Sequence, residues 1–368
     1  MNEDKSTRYR RLQRRASLGS AASAATVLLL VLVSGGSAAF RDALGGSSWL
    51  ALLPFTVVLA VVLEVSQAPF AYYKGVTLER RYGLSAQTAA QWTVDHVRAA
   101  QLGLVLALIA ASVLWVSMRL VPGAWWLAAA GAAVLLLALV ARAAPVVLLP
   151  LFYDFAPLDR PALVARIQAL AARAGVPVIG VYTWRMADKT RKAHAALAGL
   201  GATRRILLSD TLLAEHTDDE IEVVLAHELA HHVHRDLGSS LAMEGLLLVA
   251  GFYAADRVLE RATGAFGLTG KTDIAALPVL VLSAAAVMVL LRPLTNAVSR
   301  AHERRADRYA IEATGNATAF ISAMKRLGAQ NLAEEQPPRL VELLFYAHPP
   351  MAARIAAARE RFERPERD

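Results

Sequence analysis

The chain has 368 residues, is 56% hydrophobic and only 19% charged, carries a formal net charge of +8 and contains no cysteine. That apolar share is unlike an ordinary soluble protein and points to a bilayer. The missing cysteines exclude disulfides, thiolate metal sites and a cysteine nucleophile, so any metal must be held by His, Asp or Glu.

Apolar runs of about 17–25 residues are long enough to span a membrane. Six runs read this way: Ala21–Phe40, Trp49–Ser66, Leu102–Val121, Ala124–Ala141, Leu237–Ala255 and Ile274–Leu291. The fifth is weakened by Glu244. Basic residues near span ends favour the cytoplasmic side. Lys5, Arg8, Arg10, Arg11, Arg14 and Arg15 precede the first run, and Lys74, Arg80, Arg81 and Arg98 follow the second. The loops after the first and third runs carry only Arg41 and Arg119. The charge pattern therefore places the N-terminus, the long segment Arg142–Asp236 and the tail from Arg292 onward in the cytoplasm. It also accounts for the basic balance without any nucleic-acid module. The first run is long and further runs follow, so it reads as an uncleaved anchor rather than a signal peptide. Glu64 and Glu244 lie in apolar runs, where a charge is costly. Each faces either a water-filled cavity or the headgroups at a span end.

The first polar part begins near Pro150. Pro161 opens a helix whose apolar residues Leu163, Ile167, Leu170 and Ala171 recur at helical spacing. Val176–Trp184 and Arg204–Asp210 read as strands, being short and β-branched or aliphatic. The intervening AHAALAGLG is a third strand or a loop, with a turn near Gly199–Gly201. Thr217 and Glu220 then form a capping box, which announces a helix through Ile221, Val224 and Leu225. In the C-terminal part, SRAHERRADRYAIEATG reads as a helix ended by Gly315. Phe320, Met324 and Leu327 suggest another helix, and Met351–Phe362 a last one.

The capped helix carries HELAH. His227 and His231, four residues apart, share one helix face and can grip one ion. Glu228 lies between them, beside the open coordination position. Zinc lowers the pKa of bound water to about 7, and an adjacent carboxylate can take that proton. His232 and His234 read as surface or supporting residues, and Asp236 as a possible support for a ligand. A catalytic zinc also needs a third protein ligand. Glu303 is the best of the downstream acids, and Asp307, four residues on, shares its face. The same stretch, with Arg300, Arg304, Arg305 and Arg308, reads equally well as a solvated amphipathic helix.

HELAH followed by SRAHERRADRYA resembles the type I CAAX prenyl proteases, which are multi-span zinc endopeptidases related to the HtpX-like membrane proteases. APFAYYKGVTLERRYGLSAQT (Ala68–Thr88), PLFYDFAPL (Pro150–Leu158), GLGATRRILLSDTLL (Gly199–Leu213) and HPPMAAR (His348–Arg354) carry the same likeness. It runs from Ala68 to Ile355. The resemblance implies one Zn2+ per chain, bound by His227, His231 and Glu303. It implies Glu228 as general base and Asp307 as support for a ligand. It also implies that His348 and Arg354 face the reaction centre, where a donor steadies the oxyanion. Two departures stand out: His194-Ala195 replaces the family's Asn-Ala, and six spans replace the seven of eukaryotic members.

The expected fold is therefore mainly α, a transmembrane helix bundle with a cytoplasmic zincin-type catalytic domain of helices and a small β-sheet. Residues 1–20 form a basic tail. Residues 21–149 carry spans one to four, with a cytoplasmic loop at 67–101. Residues 150–236 are catalytic and hold the HExxH helix, 237–291 carry spans five and six, and 292–368 bring the glutamate ligand. The expected function is peptide-bond hydrolysis at the cytoplasmic face of the cell membrane. The substrate would be a peptide or membrane protein, with a prenylated C-terminus in prospect and membrane lipid as surroundings. An HtpX-like quality-control protease is the enzymatic alternative, and the non-catalytic one is a membrane protein with a relict metal site. A site-2-type intramembrane protease fits poorly, because HELAH follows a polar, capped start.

Overall fold

A computed structural model describes residues 4–199 and 204–363. Six helices are long and apolar enough to cross a membrane: α1 (Lys5–Val33), α3 (Trp49–Tyr72, running on through a wide turn to Arg81), α4 (Ala89–Leu120), α5 (Trp125–Ala143), α9 (Asp236–Ala262) and α10 (Leu277–Thr314). Between α1 and α3 lies the short α2 (Gly36–Ala43). Leu30, Val33, Leu50, Leu120 and Leu290 are exposed on the spanning helices. Such apolar surface suits lipid contact and not water.

Two helices differ from the sequence reading. Residues expected as a basic tail belong to α1, which starts at Lys5 behind an N-cap from Asp4. It ends at Val33, short of Phe40, because the chain breaks at Gly35 with φ 72°. The last span and the SRAHERRAD helix are one continuous 38-residue helix, α10, that runs through Pro293. It stops at Gly315, whose left-handed φ of 64° suits glycine.

The polar part holds β1 (Asp154–Pro157), α6 (Pro161–Arg173), β2 (Val181–Arg185), β3 (Ala195–Ala198), β4 (Arg205–Ser209), α7 (Asp210–Glu215) and α8 (Asp218–Val233). After α10 come α11 (Ala317–Gln330), α12 (Arg339–Phe345) and α13 (Met351–Glu363). The sheet order is β1-β2-β4-β3, with β2 parallel to β4 and the outer pairs antiparallel. AHAALAGLG thus supplies the edge strand β3, while Leu200 and Gly201 of the expected turn lie outside the described residues. Strand β1 was not expected. Val176–Ile179 precedes β2 as loop rather than strand.

One core holds these elements together. Leu163, Ile167 and Leu170 of α6 pack with Ile206 and Leu208 of β4, Leu225 and Leu229 of α8, and Phe320 and Met324 of α11. Each is at most 2% exposed, so each contributes roughly 1.5–3 kcal/mol of transfer free energy. The core fixes the inner face of α8 against sheet and helices, which leaves its histidine face turned toward α10.

Candidate metal centre

Helix α8 begins with the expected capping box: Thr217 Oγ1 accepts from the Glu220 amide at 3.3 Å, and Glu220 Oε2 accepts from the Thr217 amide at 2.9 Å. Three turns on, His227 and His231 stand edge to face, with ring centroids 5.0 Å apart. Glu303 enters from α10. Its Oε2 lies 3.3 Å from His227 Nε2, and its Oε1 lies 3.5 Å from His231 Nε2. One donor atom from each of the three falls within 4.8 Å of the others. Among the described residues, theirs is the cluster that fits a metal ion.

The outer nitrogens are also held. His227 Nδ1 is 2.9 Å from Asp307 Oδ1, and His231 Nδ1 is 2.9 Å from Asp236 Oδ2. A carboxylate at Nδ1 keeps the proton there and leaves Nε2 as a lone-pair donor. Both Nε2 atoms face Glu303. Meanwhile Glu303 Oε2 is buried without a well-aimed hydrogen-bond donor, although His348 Nδ1 lies 2.8 Å away. An orphaned, buried carboxylate oxygen between two lone-pair nitrogens is the donor set of a divalent cation, and zinc fits it.

Sequence reasoning did not rely on Asp236. It is 5% exposed and reaches His231 because Arg235 adopts a left-handed φ of 57° between α8 and α9. Arg305 from α10 donates to the other oxygen of Asp236. The available signal was an acid five residues beyond His231. The solvated-helix reading of SRAHERRAD holds for one face only: Arg304 and Arg308 are exposed, whereas Arg300, Glu303 and Asp307 are buried. Arg300 donates to the backbone oxygen of Tyr346 at 2.7 Å, two residues before His348.

Arg354 on α13 is 8% exposed and grips both carboxylate oxygens of Asp307, with Nε at 2.8 Å from Oδ2. His348 is open, with its side chain 65% exposed. Burial lowers the pKa of His227, but Asp307 and Glu303 outweigh it and raise the group to about 9 in the metal-free protein. Burial raises the Glu228 carboxyl above its ordinary value. His194 is held below the usual histidine value by burial and then by Lys192.

These groups share a cavity of about 900 Å³ lined by His194, Ala195, His227, Glu228, Glu303 and His348. It continues along one face of α1 past Arg14 and Leu18 to Ala21, and along α10 to Val289. Glu64 and Glu244 do not line it. Glu64 pairs instead with His96 of α4 at 2.7 Å.

Residues 157–362 match the profile of Peptidase family M48, and residues 2–154 match that of the CAAX prenyl protease N-terminal region, described as five membrane helices. The chain belongs to peptidase family M48. It is similar to the uncharacterized metalloprotease YhfN of Bacillus subtilis, 31% identical over 92% of this chain and 81% of that one. It is also similar to CAAX prenyl protease 1 of Saccharomyces cerevisiae, 26% identical over 83% of this chain and 71% of its relative. The crystal structure of S. mikatae Ste24p shares the fold, with a TM-score of 0.85 at 22% identity over 96% of this chain and 88% of that one.

Family membership makes this M48 protein a multi-pass membrane metallopeptidase of the zinc class, acting on peptides with a metal cofactor. The relict-site alternative is set aside. Within the stretch described as five membrane helices, four here reach spanning length, since α2 has eight residues.

Proposed function

We propose that one Zn2+ per chain is bound by His227, His231 and Glu303, and that the enzyme cuts peptides presented at the cytoplasmic face of the cell membrane. The convergence of three donor atoms within 4.8 Å carries this reading. Bound zinc supplies Lewis acidity and lowers the pKa of water to about 7.

Glu228 is the general base. It lines the cavity next to His227 and Glu303, and its raised pKa brings it nearer neutrality. A base of that kind takes a proton from the attacking water and returns it to the leaving amine. His348, open and beside Glu303, is placed to donate to the developing oxyanion. Arg354 has a different task. Its guanidinium grips Asp307 through Nε and Nη2 and comes within 3.5 Å of His227 Nδ1, so it positions His227 from the cavity wall. Asp307 and Asp236 fix the tautomers of the two histidines.

The cavity suits an amphipathic substrate. Its α1 wall changes from Arg10 and Arg14 to Leu18 and Ala21 toward the apolar half of the helix. A lipid-modified C-terminus would place its chain along the apolar end and its peptide at the metal. The relatives named CAAX prenyl protease 1 support a prenylated substrate. A second reading is general proteolysis of membrane proteins, since YhfN, the relative at 31% identity, is named a metalloprotease with no prenylated substrate in its name. The charge pattern supports a catalytic part formed by 150–236 and 292–368 on the cytoplasmic side, joined by the spans at 237–291.

The test uses purified protein and its Glu228→Gln variant in detergent. Each is loaded with zinc and given a farnesylated CAAX peptide or an unmodified membrane protein. Cleavage by the parent and not by the variant is expected. Equal cleavage by both would remove Glu228 from the mechanism, and the preferred substrate decides between the two readings.

A further inference from the structure

His348 is aimed by the backbone that carries it. Its side chain is 65% exposed, and among the described residues its one polar contact is Glu303. Pro349 and Pro350 follow it. Their fixed φ, and the extended backbone that a proline imposes on the residue before it, stiffen the C-terminal side of the loop. The Arg354 amide then donates to Pro350 O at 3.1 Å as α13 begins. The N-terminal side, Phe345-Tyr346-Ala347, has no proline and must be held by tertiary contacts.

Those contacts come from two spanning helices and meet at Tyr346. From α10, Arg300 donates to the Tyr346 backbone oxygen at 2.7 Å, and Asn296 Nδ2 donates to Leu343 O at 3.1 Å. From the cytoplasmic end of α1, Arg14 Nη1 donates to Tyr346 Oη at 3.0 Å and pairs with Glu334 Oε2. Tyr346 Oη donates to that same Glu334 oxygen at 2.6 Å, which closes a ring of three side chains. Glu334 is buried, and charge-assisted hydrogen bonds of this kind are the strong ones. Burial, and then Glu334, hold the Tyr346 phenol above its ordinary pKa, so it stays a donor. Arg10, one turn before Arg14, holds the same connection between α11 and α12 through Asn331 O and Leu332 O at 3.0 and 2.9 Å. Arg14, Glu334, Tyr346 and His348 all line the cavity that holds His227, Glu228 and Glu303.

We propose that Arg14 is a positioning residue for the oxyanion donor: through Tyr346 and Glu334, the first spanning helix sets where His348 stands in the cavity. This rests on the reading of His348 as that donor. Tyr346 is pinned by its hydroxyl to α1 and by its carbonyl to α10, and only Ala347 separates it from His348. Without Arg14, the backbone tie to α10 remains and the side-chain tie to α1 is lost. The loop can then turn about the remaining tie. A shift of about 1 Å at a group that acts in the transition state costs on the order of a hundredfold in rate. A donor used only in the transition state adds little to substrate binding, so the loss falls on kcat.

The experiment measures kcat and KM of the zinc-loaded, full-length enzyme in detergent. The substrate is whichever of the farnesylated CAAX peptide and the unmodified membrane protein the wild type cuts better. Melting temperature and zinc content report that each variant is folded and loaded. Arg14→Ala is expected to lower kcat about 10–100-fold with little change in KM. Tyr346→Phe, which deletes one hydroxyl and keeps the ring, is expected to lower kcat in the same direction. Arg14→Lys, which keeps a cation for Glu334, is expected to recover part of the loss. In a His348→Ala background, Arg14→Ala is expected to cost almost nothing further, because no donor is left to misplace. Should Arg14→Ala fail to fold, Tyr346→Phe with and without His348→Ala carries the same comparison. Wild-type kcat in the folded variants, a loss carried by KM, or an equal loss in the His348→Ala background would overturn the positioning. A His348→Ala enzyme at wild-type kcat would refute the oxyanion reading and the positioning with it.

Discussion

Asp236 Oδ2 lies 2.9 Å from Nδ1 of His231, and the guanidinium of Arg305 holds the other oxygen of the same carboxylate. A break between two helices, with Arg235 in the left-handed region, turns an acid at the start of α9 back onto a histidine at the end of α8. The contact links the HELAH helix to α10, which also carries Glu303. Replacing Asp236 with Ala frees the His231 ring to rotate and to exchange tautomers. Zinc affinity should fall about 10–100-fold, as measured by competition with a chromogenic chelator, while Asp236→Glu should recover part of it.

Arg354 and Asp307 perform the same service for His227, and more deeply. Both are buried, and the guanidinium contacts both carboxylate oxygens. Arg354→Lys keeps the charge but cannot reproduce a forked contact. Arg354→Ala leaves the buried Asp307 with His227 but without its guanidinium partner, a change of roughly 3–5 kcal/mol. The lysine variant should lose activity with moderate loss of melting temperature. The alanine variant should show a much larger drop in melting temperature.

His227 sets a pH dependence in the metal-free enzyme. Its folded pKa is raised from 6.5 to about 9 by Asp307 and Glu303 against the opposing effect of burial. A raised pKa means that the folded state binds the proton more tightly than the unfolded state. The stabilisation is therefore full below pH 6.5 and is lost as pH rises through about 9. Thermal unfolding of metal-stripped protein should show this loss, and His227→Gln should lack it. Zinc requires the neutral ring, so zinc should bind more tightly as pH rises over the same interval.

His348 touches Glu303 yet is largely exposed, so its removal should cost little stability. If it donates to the oxyanion, His348→Ala should lower kcat by about 10²–10³ with little change in KM. Melting temperature and zinc content should stay near wild type.

Much of the site was legible because local rules fix it. Thr217 and Glu220 announce α8, and a four-residue spacing puts His227 and His231 on one face. The place of Glu303 was not legible from spacing. Seventy-odd residues and two spanning helices separate it from His231, and only tertiary packing joins them. Asp236 read only as a possible support, because its reach to His231 depends on a backbone turn at Arg235 that no local pattern reports. Strand β1 was hidden by Asp154 and Pro157, residues that strands disfavour. The basic residues from Lys5 to Arg15 read as a tail because charge masks helix propensity. Arg10 and Arg14 are in fact wall residues of the cavity, and Arg14 donates to Tyr346 Oη at 3.0 Å. Arg292 read as the start of a separate tail, but α10 runs through it and through Pro293.

The most direct test of the central claim measures zinc content and peptide hydrolysis together in Glu303→Ala and Glu228→Gln. Glu303→Ala should lose both bound zinc and activity, whereas Glu228→Gln should keep one zinc per chain and lose activity by several orders of magnitude. A Glu303→Ala enzyme that holds zinc in full and cuts at the wild-type rate would contradict the account.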